Sequence, residues 1–273
     1  LNIDEKLIEA AIPPTTKAIF VVHYAGVMCE MDEILRIATD HGLAVVEDAA
    51  QALTSTYKGR PAGSIGDLGC FSFHETKNII SGEGGALTVN NPDLIDRSEI
   101  IREKGTNRKK FFKGQVDKYT WVDIGSSFLP GELIAAFLYG QLLEITRLQK
   151  DRMEAWSCYD EAISRYSNEY NLTTPSIPEG IVHNAHLYYI LVATPEVRSA
   201  IISDMKNQGI GTPFHYIPLH DSPAGKKYTR SSGKLSVTNS VSRQLIRLPM
   251  YPNVKNVQKE ILEALLSSVQ QNC

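Results

Sequence analysis

The sequence is poor in cysteine, and its cysteines are far apart. Only Cys29, Cys70, Cys158 and Cys273 occur in 273 residues, and no two of them form a Cys-x-x-Cys pair. This spacing excludes a disulfide-stapled scaffold and the usual cysteine-based zinc sites. The sequence therefore predicts free thiols and a protein of the reducing cytoplasm.

Long apolar runs, dense basic clusters and metal-ligand clusters are also missing. No segment is long and apolar enough to span a bilayer, and the formal net charge is −3. The densest basic run, Arg108–Lys110, is short, so neither a membrane nor a nucleic acid is expected as a partner. The pairs His183/His186 and His215/His220 lack acidic or cysteine neighbours at ligand spacing, which predicts no metal site.

A glycine motif for dinucleotides is absent as well. Gly63, Gly66 and Gly69 do not follow the G-x-G-x-x-G spacing, nor do they lie between a strand and a helix. An NAD-binding domain is therefore not expected. At 42% hydrophobic and 22% charged residues, the composition is that of an ordinary globular protein with one or two domains.

The first clear pattern in the sequence is a strand, a helix and a second strand. Lys17–His23 is an apolar, β-branched run that predicts a strand buried on both faces. Met31–His41 has helical spacing and ends before Gly42, and Leu43–Val46 predicts the next strand. Such a unit predicts a parallel sheet, whose ligands bind at the carboxyl ends of the strands. Asp48 lies at such an end.

A second informative stretch runs from Cys70 to Leu87. It begins as a strand that contains Ser72, passes through polar residues to Lys77, and resumes a strand after three glycines. Burial and nearby charge can lower a lysine pKa enough to make the amine a nucleophile toward aldehydes. A lone lysine beside a turn is usually a solvated surface residue, so this stretch gains meaning only in combination with Asp48.

Together, Asp48, Gln51, Ser72 and Lys77 fit the chemistry of pyridoxal 5′-phosphate (PLP). A lysine amine can bond to its aldehyde, a carboxylate can keep its ring nitrogen protonated, and a hydroxyl can bind its phosphate. The order of the motifs, a strand with Glu-Asp-Ala-Ala-Gln and then Phe-Ser-Phe-x-x-x-Lys-Asn, is more specific than either motif alone. We therefore expect PLP as the cofactor.

The later part of the chain predicts a long helix, a linker and a smaller α+β region. Glu132–Tyr166 has a helical pattern, and Asn171–Gly180 has the prolines and small polar residues of a linker. After the linker, the pattern predicts a strand, a helix, an extended segment with two prolines, and two final helices. These elements are His186–Ala193, Glu196–Gln208, Thr212–His220, Val237–Leu248 and Val257–Val269.

The motifs resemble those of the DegT/DnrJ/EryC1/StrS family of sugar-nucleotide aminotransferases. The stretches that carry the resemblance are Val45–Gln51, Gly69–Asn78 and Gly82–Gly85. The resemblance extends over the whole chain and is closest to the dTDP-4-amino-4,6-dideoxygalactose transaminase subgroup, through Phe71–Asn78, Ile101–Arg108, Gly114–Trp121 and Phe214–His220. It implies an α/β fold with an aspartate-aminotransferase-like large domain (PLP fold type I) at residues 1–155 and a small C-terminal α+β domain at residues 156–273.

The resemblance also implies roles for individual residues. Lys77 is implied to bond to the cofactor and move protons, Asp48 to pair with the ring nitrogen, Gln51 to lie near the ring hydroxyl and Ser72 to bind the phosphate. Ser127 corresponds to a residue that reaches the cofactor of a neighbouring subunit. His74 is more readily interpreted as a packed residue behind the cofactor than as a catalyst.

A substrate cleft is implied near the extended segment of the small domain. His215, Tyr216 and His220 lie on that segment, and with His74 they are the candidate substrate contacts. The implied reaction is transamination of a nucleotide-linked 4-keto-6-deoxy sugar, dTDP-4-dehydro-6-deoxy-D-glucose, with glutamate as the amino donor. The pathway implied is cell-surface polysaccharide synthesis, such as that of enterobacterial common antigen, and the enzyme is expected to be a homodimer.

Two alternative functions and one expectation about the chain's start remain. Relatives that dehydrate sugars carry histidine in place of the lysine, so Lys77 argues against that chemistry. The resemblance also predicts that a segment supplying the first strands precedes Leu1, which would make the chain N-terminally incomplete and leaves a non-catalytic paralogue or partner subunit as an alternative. Asn2, with Glu5 three residues later, predicts the N-cap of an opening helix.

Overall fold

The computed structural model describes residues 1–273, and the chain forms two units. The first unit contains Leu1–Ile145 and Gly180–His183, and the second contains Thr146–Glu179 and Asn184–Cys273. The division predicted after residue 155 lies inside a helix that covers Ile145–Ser164.

The βαβ unit predicted from the sequence is present in the first unit. Strand β1 covers Ala18–Val22, helix α1 covers Met31–His41 and strand β2 covers Ala44–Asp48. The two strands are parallel. Helix α1 ends at Gly42, whose φ of 62° is the left-handed conformation that glycine adopts without steric cost.

The prediction that β1 is buried on both faces is wrong. Ile19 and Val21 are buried in the core shared with α1, whereas 67% of Phe20 is exposed. β1 is the edge strand of its sheet, and only one of its faces meets that core. The apolar run Lys17–His23 therefore predicted a strand correctly, but it could not show which face of that strand packs against the core.

Five further strands complete the sheets of the first unit. They are β3 (Thr56–Tyr57), β4 (Arg60–Pro61), β5 (Leu68–Ser72), β6 (Gly85–Val89) and β7 (Ile181–Val182). The main sheet has the order β1-β2-β5-β6, in which β5 is parallel to β2 and β6 is antiparallel to β5. The small sheet has the order β4-β3-β7, in which β3 and β4 form a hairpin that contains a buried tyrosine, Tyr57.

The opening helix predicted from Asn2 is replaced by two short 3-10 helices, Glu5–Leu7 and Glu9–Ala11. Asp4 caps the first of them, because its side chain accepts a hydrogen bond from the Lys6 amide at 3.1 Å. The Asn2 side chain instead bonds to the backbone of the distant turn after β1. Asn2, which the local pattern predicts to be an N-cap, therefore forms long-range hydrogen bonds instead.

Four helices follow β6. They are α2 (Ile95–Arg102), α3 (Arg108–Phe112), α4 (Glu132–Leu143) and α5 (Ile145–Ser164). The single long helix predicted from Glu132 is interrupted at Glu144, so it forms as α4 and α5. Of these two, α4 has no buried residue, whereas α5 buries six side chains that include Trp156 and Tyr159.

The second unit packs its helices around a two-stranded antiparallel sheet. Besides α5, its elements are β8 (Tyr188–Leu191), α6 (Pro195–Asn207), α7 (Pro223–Tyr228), α8 (Ser236–Gln244), β9 (Leu245–Leu248) and α9 (Gln258–Asn272). The predicted helix that began at Val237 is therefore helix only as far as Gln244. The remaining residues pair with β8 as a buried strand, a partnership that local spacing does not reveal. None of the helices combines the length and apolar composition needed to cross a membrane.

Candidate active site

The candidate site forms at the edge of the main sheet where β2 and β5 end. β2 ends at Asp48 and β5 ends at Ser72, and the parallel pairing sets Asp48 opposite Cys70. The amide of His23 donates to the Asp48 carbonyl at 3.1 Å, and Oδ1 of the same aspartate accepts from the Ala50 amide at 3.0 Å. Backbone amides of nearby residues thus hydrogen-bond both the main-chain carbonyl and the side-chain carboxylate of Asp48.

Lys77 lies on the loop that connects β5 to β6. The loop is held by backbone hydrogen bonds from the Phe73 amide to the Gly84 carbonyl at 2.9 Å, from the Ser81 amide to the Phe73 carbonyl at 2.7 Å, and from the Lys77 amide to the His74 carbonyl at 2.9 Å. Gly82 and Gly84 both have positive φ, so the loop folds back in conformations that favour glycine.

The Lys77 amine has the electrostatic surroundings of a nucleophile. Burial lowers its pKa below the ordinary value of 10.5, and the charge of Asp48 opposes that effect. The two groups therefore interact electrostatically, yet the amine forms no salt bridge. A half-buried amine with a lowered pKa and no ion-pair partner can lose its proton and attack an aldehyde.

Ser72 and His74 organise the start of the same loop. Oγ of Ser72 accepts a hydrogen bond from the His74 amide at 3.3 Å. Nδ1 of His74 accepts from the Thr76 amide at 3.2 Å and lies 3.0 Å from the Thr76 hydroxyl, while its Nε2 lies 3.8 Å from a Glu83 carboxylate oxygen. The imidazole is thus tied to the loop that carries Lys77.

Gln51 contacts the turn after β1. Its Oε1 accepts a hydrogen bond from the Ala25 amide at 2.7 Å. Ala25 has a φ of 60°, a left-handed conformation that costs free energy for any residue with a Cβ. The glutamine therefore stabilises a strained turn at the same sheet edge at which Asp48 lies.

Glu47 is a buried anchor of the site that the sequence patterns did not reveal. Its carboxylate is fully buried and accepts four hydrogen bonds. His23 Nε2 lies 3.0 Å from Oε2 and the Gly63 amide 2.9 Å from the same oxygen, while the amides of Ile65 and Gly66 donate to Oε1 at 2.6 and 2.7 Å. A charged residue in an otherwise apolar strand was the signal that could have identified it, because such a group is rarely buried without partners.

The hydrogen bonds of this buried pair account for the Glu47 pKa and for the tautomer of the His23 ring. Burial alone would raise the Glu47 pKa, but the bonds from His23 and from the Gly66, Gly63 and Ile65 amides together lower it. His23 Nδ1 accepts from the Cys29 amide at 3.2 Å, so the ring proton lies on Nε2 and points to Glu47. The ends of β1 and β2 and the loop before β5 are therefore joined through one carboxylate.

Ser127 lies on an exposed segment of the first unit. Its backbone forms an isolated antiparallel bridge with Glu103, and the amide of Phe128 donates to the Arg102 carbonyl at 3.2 Å. No hydrogen bond connects the Ser127 side chain to Asp48 or Lys77. Its implied role, contact with the cofactor of a neighbouring subunit, involves a second chain and stays a prediction.

The remaining predicted substrate contacts belong to the second unit. The His215 and Tyr216 rings pack edge to face with centroids 5.0 Å apart, and 76% of Tyr216 is exposed. Burial, with a smaller effect of the Arg247 charge, lowers the His215 pKa to about 4. Nε2 of His220 lies 2.9 Å from the side-chain oxygen of Asn239.

Comparison with known proteins identifies the family. A model of the DegT/DnrJ/EryC1/StrS aminotransferase family matches residues 1–266. The chain belongs to this family. The spore coat polysaccharide biosynthesis protein SpsC of Bacillus subtilis is 34% identical over 277 residues, covering 97% of this chain and 70% of SpsC. A dTDP-4-dehydro-2,3,6-trideoxy-D-glucose 4-aminotransferase of Saccharopolyspora spinosa is 29% identical over 253 residues, covering 91% of this chain and 64% of the relative.

Solved structures of the same fold identify the cofactor of the family. The PMP form of a Streptococcus pneumoniae protein superposes with a TM-score of 0.85 at 26% identity, covering 100% of this chain and 74% of that one, and the same protein has also been solved in a PLP form. The fold is thus PLP fold type I, as predicted, and the cofactor of the family is pyridoxal 5′-phosphate. The chain spans roughly two thirds of the length of SpsC and of the Saccharopolyspora enzyme.

The side chains at the sheet edge fit this cofactor. Lys77 offers an amine for the aldehyde, Asp48 offers a carboxylate for the ring nitrogen, and Ser72 offers a hydroxyl for the phosphate. When bound, pyridoxal phosphate supplies an electron sink for the breaking of bonds at the carbon that carries an amino group. The protein must then hold the ring, move protons and exclude competing reactions, and the residues above are placed to contribute to these tasks.

Proposed function

We propose that the protein transfers an amino group from glutamate to C4 of a nucleotide-linked 4-keto-6-deoxy sugar, dTDP-4-dehydro-6-deoxy-D-glucose. The observation that carries the proposal is the Lys77 amine. Burial lowers its pKa, it forms no salt bridge, and it interacts with a carboxylate at the end of the neighbouring parallel strand. That combination suits a lysine that would hold the aldehyde of the bound cofactor and would carry a proton during amino transfer.

The roles of the other residues follow from their positions. Asp48 would keep the ring nitrogen of the bound cofactor protonated, and the Ala50 amide holds its carboxylate at the strand end. Ser72 would contribute a phosphate contact from the end of β5, and Gln51 stabilises the turn after β1. His74 orients the loop around Lys77 through its bonds to Thr76.

Two relatives support the substrate class. One is named for the 4-amination of a dTDP-linked deoxy sugar, and SpsC is named for polysaccharide biosynthesis. The stretches Ile101–Arg108 and Gly114–Trp121, outside the cofactor motifs, point to the subgroup that makes dTDP-4-amino-4,6-dideoxygalactose. We therefore place the product in a cell-surface polysaccharide such as enterobacterial common antigen, with His215, Tyr216 and His220 as sugar-nucleotide contacts.

A homodimer, with Ser127 reaching the partner's cofactor, is part of the proposal. It is supported by α4, whose large apolar side chains are exposed: Leu133 by 88%, Phe137 by 53% and Leu143 by 66%. Monomeric proteins rarely leave such a face uncovered. Sedimentation should therefore give a dimer that Phe137→Glu converts to a monomer, while a monomeric wild type would remove this part of the proposal.

The test of the chemistry is covalent labelling. The protein is incubated with pyridoxal phosphate, reduced with borohydride and digested, and the modified peptide is identified by mass spectrometry. The label should appear on Lys77, disappear in Lys77→Ala, and persist in Lys118→Ala, which removes an exposed lysine of the same unit.

A second measurement tests the substrate. Purified protein with glutamate and the dTDP-linked 4-keto sugar should form the 4-amino sugar and 2-oxoglutarate, and Lys77→Ala should form neither. A label on a different lysine would contradict the catalytic assignment, and a labelled but inactive wild type would instead favour the non-catalytic alternative.

A further inference from the structure

His23 is a buried histidine that contacts two consecutive residues of the neighbouring strand. It directly follows β1, and its side chain is fully buried. Its backbone amide donates to the Asp48 carbonyl at 3.1 Å, while Nε2 of its ring lies 3.0 Å from Oε2 of Glu47. Glu47 and Asp48 are the last two residues of β2. One residue therefore binds the end of β2 twice, through its backbone at Asp48 and through its ring at Glu47.

This pair of contacts restricts the peptide that joins Glu47 to Asp48. One hydrogen bond would let the end of a strand rotate about that bond, whereas two bonds to consecutive residues oppose the rotation. Successive side chains of a strand point to opposite faces, so the direction of the Glu47 side chain determines the direction of the Asp48 side chain. Because the ring holds the Glu47 carboxylate on one face, the Asp48 carboxylate is directed to the other.

The His23 ring is itself oriented by a contact on its far side. Its Nδ1 accepts from the Cys29 amide at 3.2 Å, which directs the ring proton on Nε2 to Glu47. The other three donors to Glu47 are backbone amides, those of Gly63, Ile65 and Gly66. A substitution at position 23 therefore removes the side-chain donor to Glu47 and leaves the three amides in place.

We propose that His23 is a positioning residue of the amino-transfer site, which holds the Asp48 carboxylate in the orientation that serves Lys77 and the ring nitrogen of the bound cofactor. The inference rests on the function proposed above, because that function gives Asp48 these tasks. The Ala50 amide, 3.0 Å from Oδ1 of Asp48, restrains the carboxylate itself, and His23 restrains the backbone that carries it. Since the Asp48 charge raises the Lys77 pKa against burial, that pKa reports how well the carboxylate is placed.

The experiment measures the Lys77 pKa in the full chain without added cofactor, from the pH dependence of reductive methylation. His23→Asn keeps an acceptor for the Cys29 amide but is too short to reach Glu47. The Asp48 charge should then act less on Lys77, and the Lys77 pKa should fall to a value between those of the wild type and Asp48→Asn. His23→Gln can extend an NH₂ group to Glu47 but offers Cys29 no acceptor, so it should show a smaller fall.

A double-mutant cycle separates positioning from a general loss of structure. If His23 acts through Asp48, His23→Asn should lower the Lys77 pKa in the wild-type background and have no effect in the Asp48→Asn background. A loosened fold that admits water would instead raise this pKa in both backgrounds, because burial lowers it. The matched control is His41→Asn, which should leave the Lys77 pKa unchanged. His41 also lies beside a glutamate, with Nε2 3.1 Å from Glu9, but it precedes β2.

The inference fails if the Lys77 pKa is unchanged in His23→Asn, or if the change is equally large in the Asp48→Asn background. Where urea unfolding shows that His23→Asn does not fold, His23→Gln is read by the same two criteria. Borohydride labelling of Lys77 with pyridoxal phosphate is measured separately on the wild type. An unlabelled wild type would remove the proposed function and the task at the ring nitrogen, whereas a labelled wild type without any effect of His23 would remove only this inference.

Discussion

Replacing Glu47 with glutamine should destabilise the first unit strongly, although the change is nearly isosteric. Each carboxylate oxygen of Glu47 accepts two hydrogen bonds: Oε2 from His23 and Gly63, and Oε1 from Ile65 and Gly66. A carboxamide has one oxygen and one NH₂, so either orientation leaves two buried donors facing another donor.

The magnitude follows from that count. A buried donor left without an acceptor costs about 1–3 kcal/mol, so two of them cost about 2–6 kcal/mol. His23 cannot relieve the conflict by changing tautomer, because its Nδ1 already accepts from the Cys29 amide. A loss of this size is a large part of the roughly 5–15 kcal/mol by which domains are stable.

Urea unfolding followed by circular dichroism at pH 7 measures the effect. Glu47→Gln should unfold at a clearly lower urea concentration with an unchanged slope, and the amides of Gly63, Ile65 and Gly66 should exchange faster with solvent. The control Glu33→Gln makes the same chemical change in an exposed ion pair with Arg36 and should leave the midpoint unchanged.

The pH dependence gives a second, independent test. The folded-state pKa of Glu47 lies below its ordinary value of 4.5, so its carboxylate contributes fully above pH 4.5 and less as the pH falls through the folded pKa. The stability gap between wild type and Glu47→Gln should therefore narrow below pH 4.5. Equal urea midpoints for the two proteins at pH 7 would refute the reasoning.

Three further predictions concern the same unit. Asp48→Asn should lower the Lys77 pKa further, because the Asp48 charge raises this pKa and so opposes the effect of burial. The pH dependence of Lys77 reductive methylation measures the pKa, and an unchanged midpoint pH would contradict the prediction. Gly69→Ala should destabilise the unit by about 1–3 kcal/mol in thermal unfolding, since its Cβ would overlap the backbone of the preceding loop. The control Gly211→Ala lies at an exposed position of the second unit with open space around it, and it should be neutral. Burial lowers the His183 pKa from 6.5 to about 4, so wild-type stability should fall as the pH drops from 6.5 to 4, and His183→Gln should remove that part of the fall.

The pattern of neighbouring residues was enough to predict the elements that form the candidate site. The βαβ unit was predicted from spacing and β-branched runs, and it places Asp48 at the end of a parallel strand. The loop that carries Lys77 was predicted from the polar residues and glycines between two strands. These features depend on residues close in the chain, so the sequence alone could reveal them.

Contacts between distant residues decided the rest. Only the tertiary structure shows that Phe20 is exposed, that the residues after Gln244 form a strand against β8, and that Glu47 joins two strands and a loop. Ser127 matches a family position by sequence, and its implied contact with a neighbouring subunit's cofactor stays a prediction. Local periodicity determines which element a segment prefers, whereas burial and pairing depend on what the folded chain brings alongside it, and that information is not contained in any one stretch of sequence.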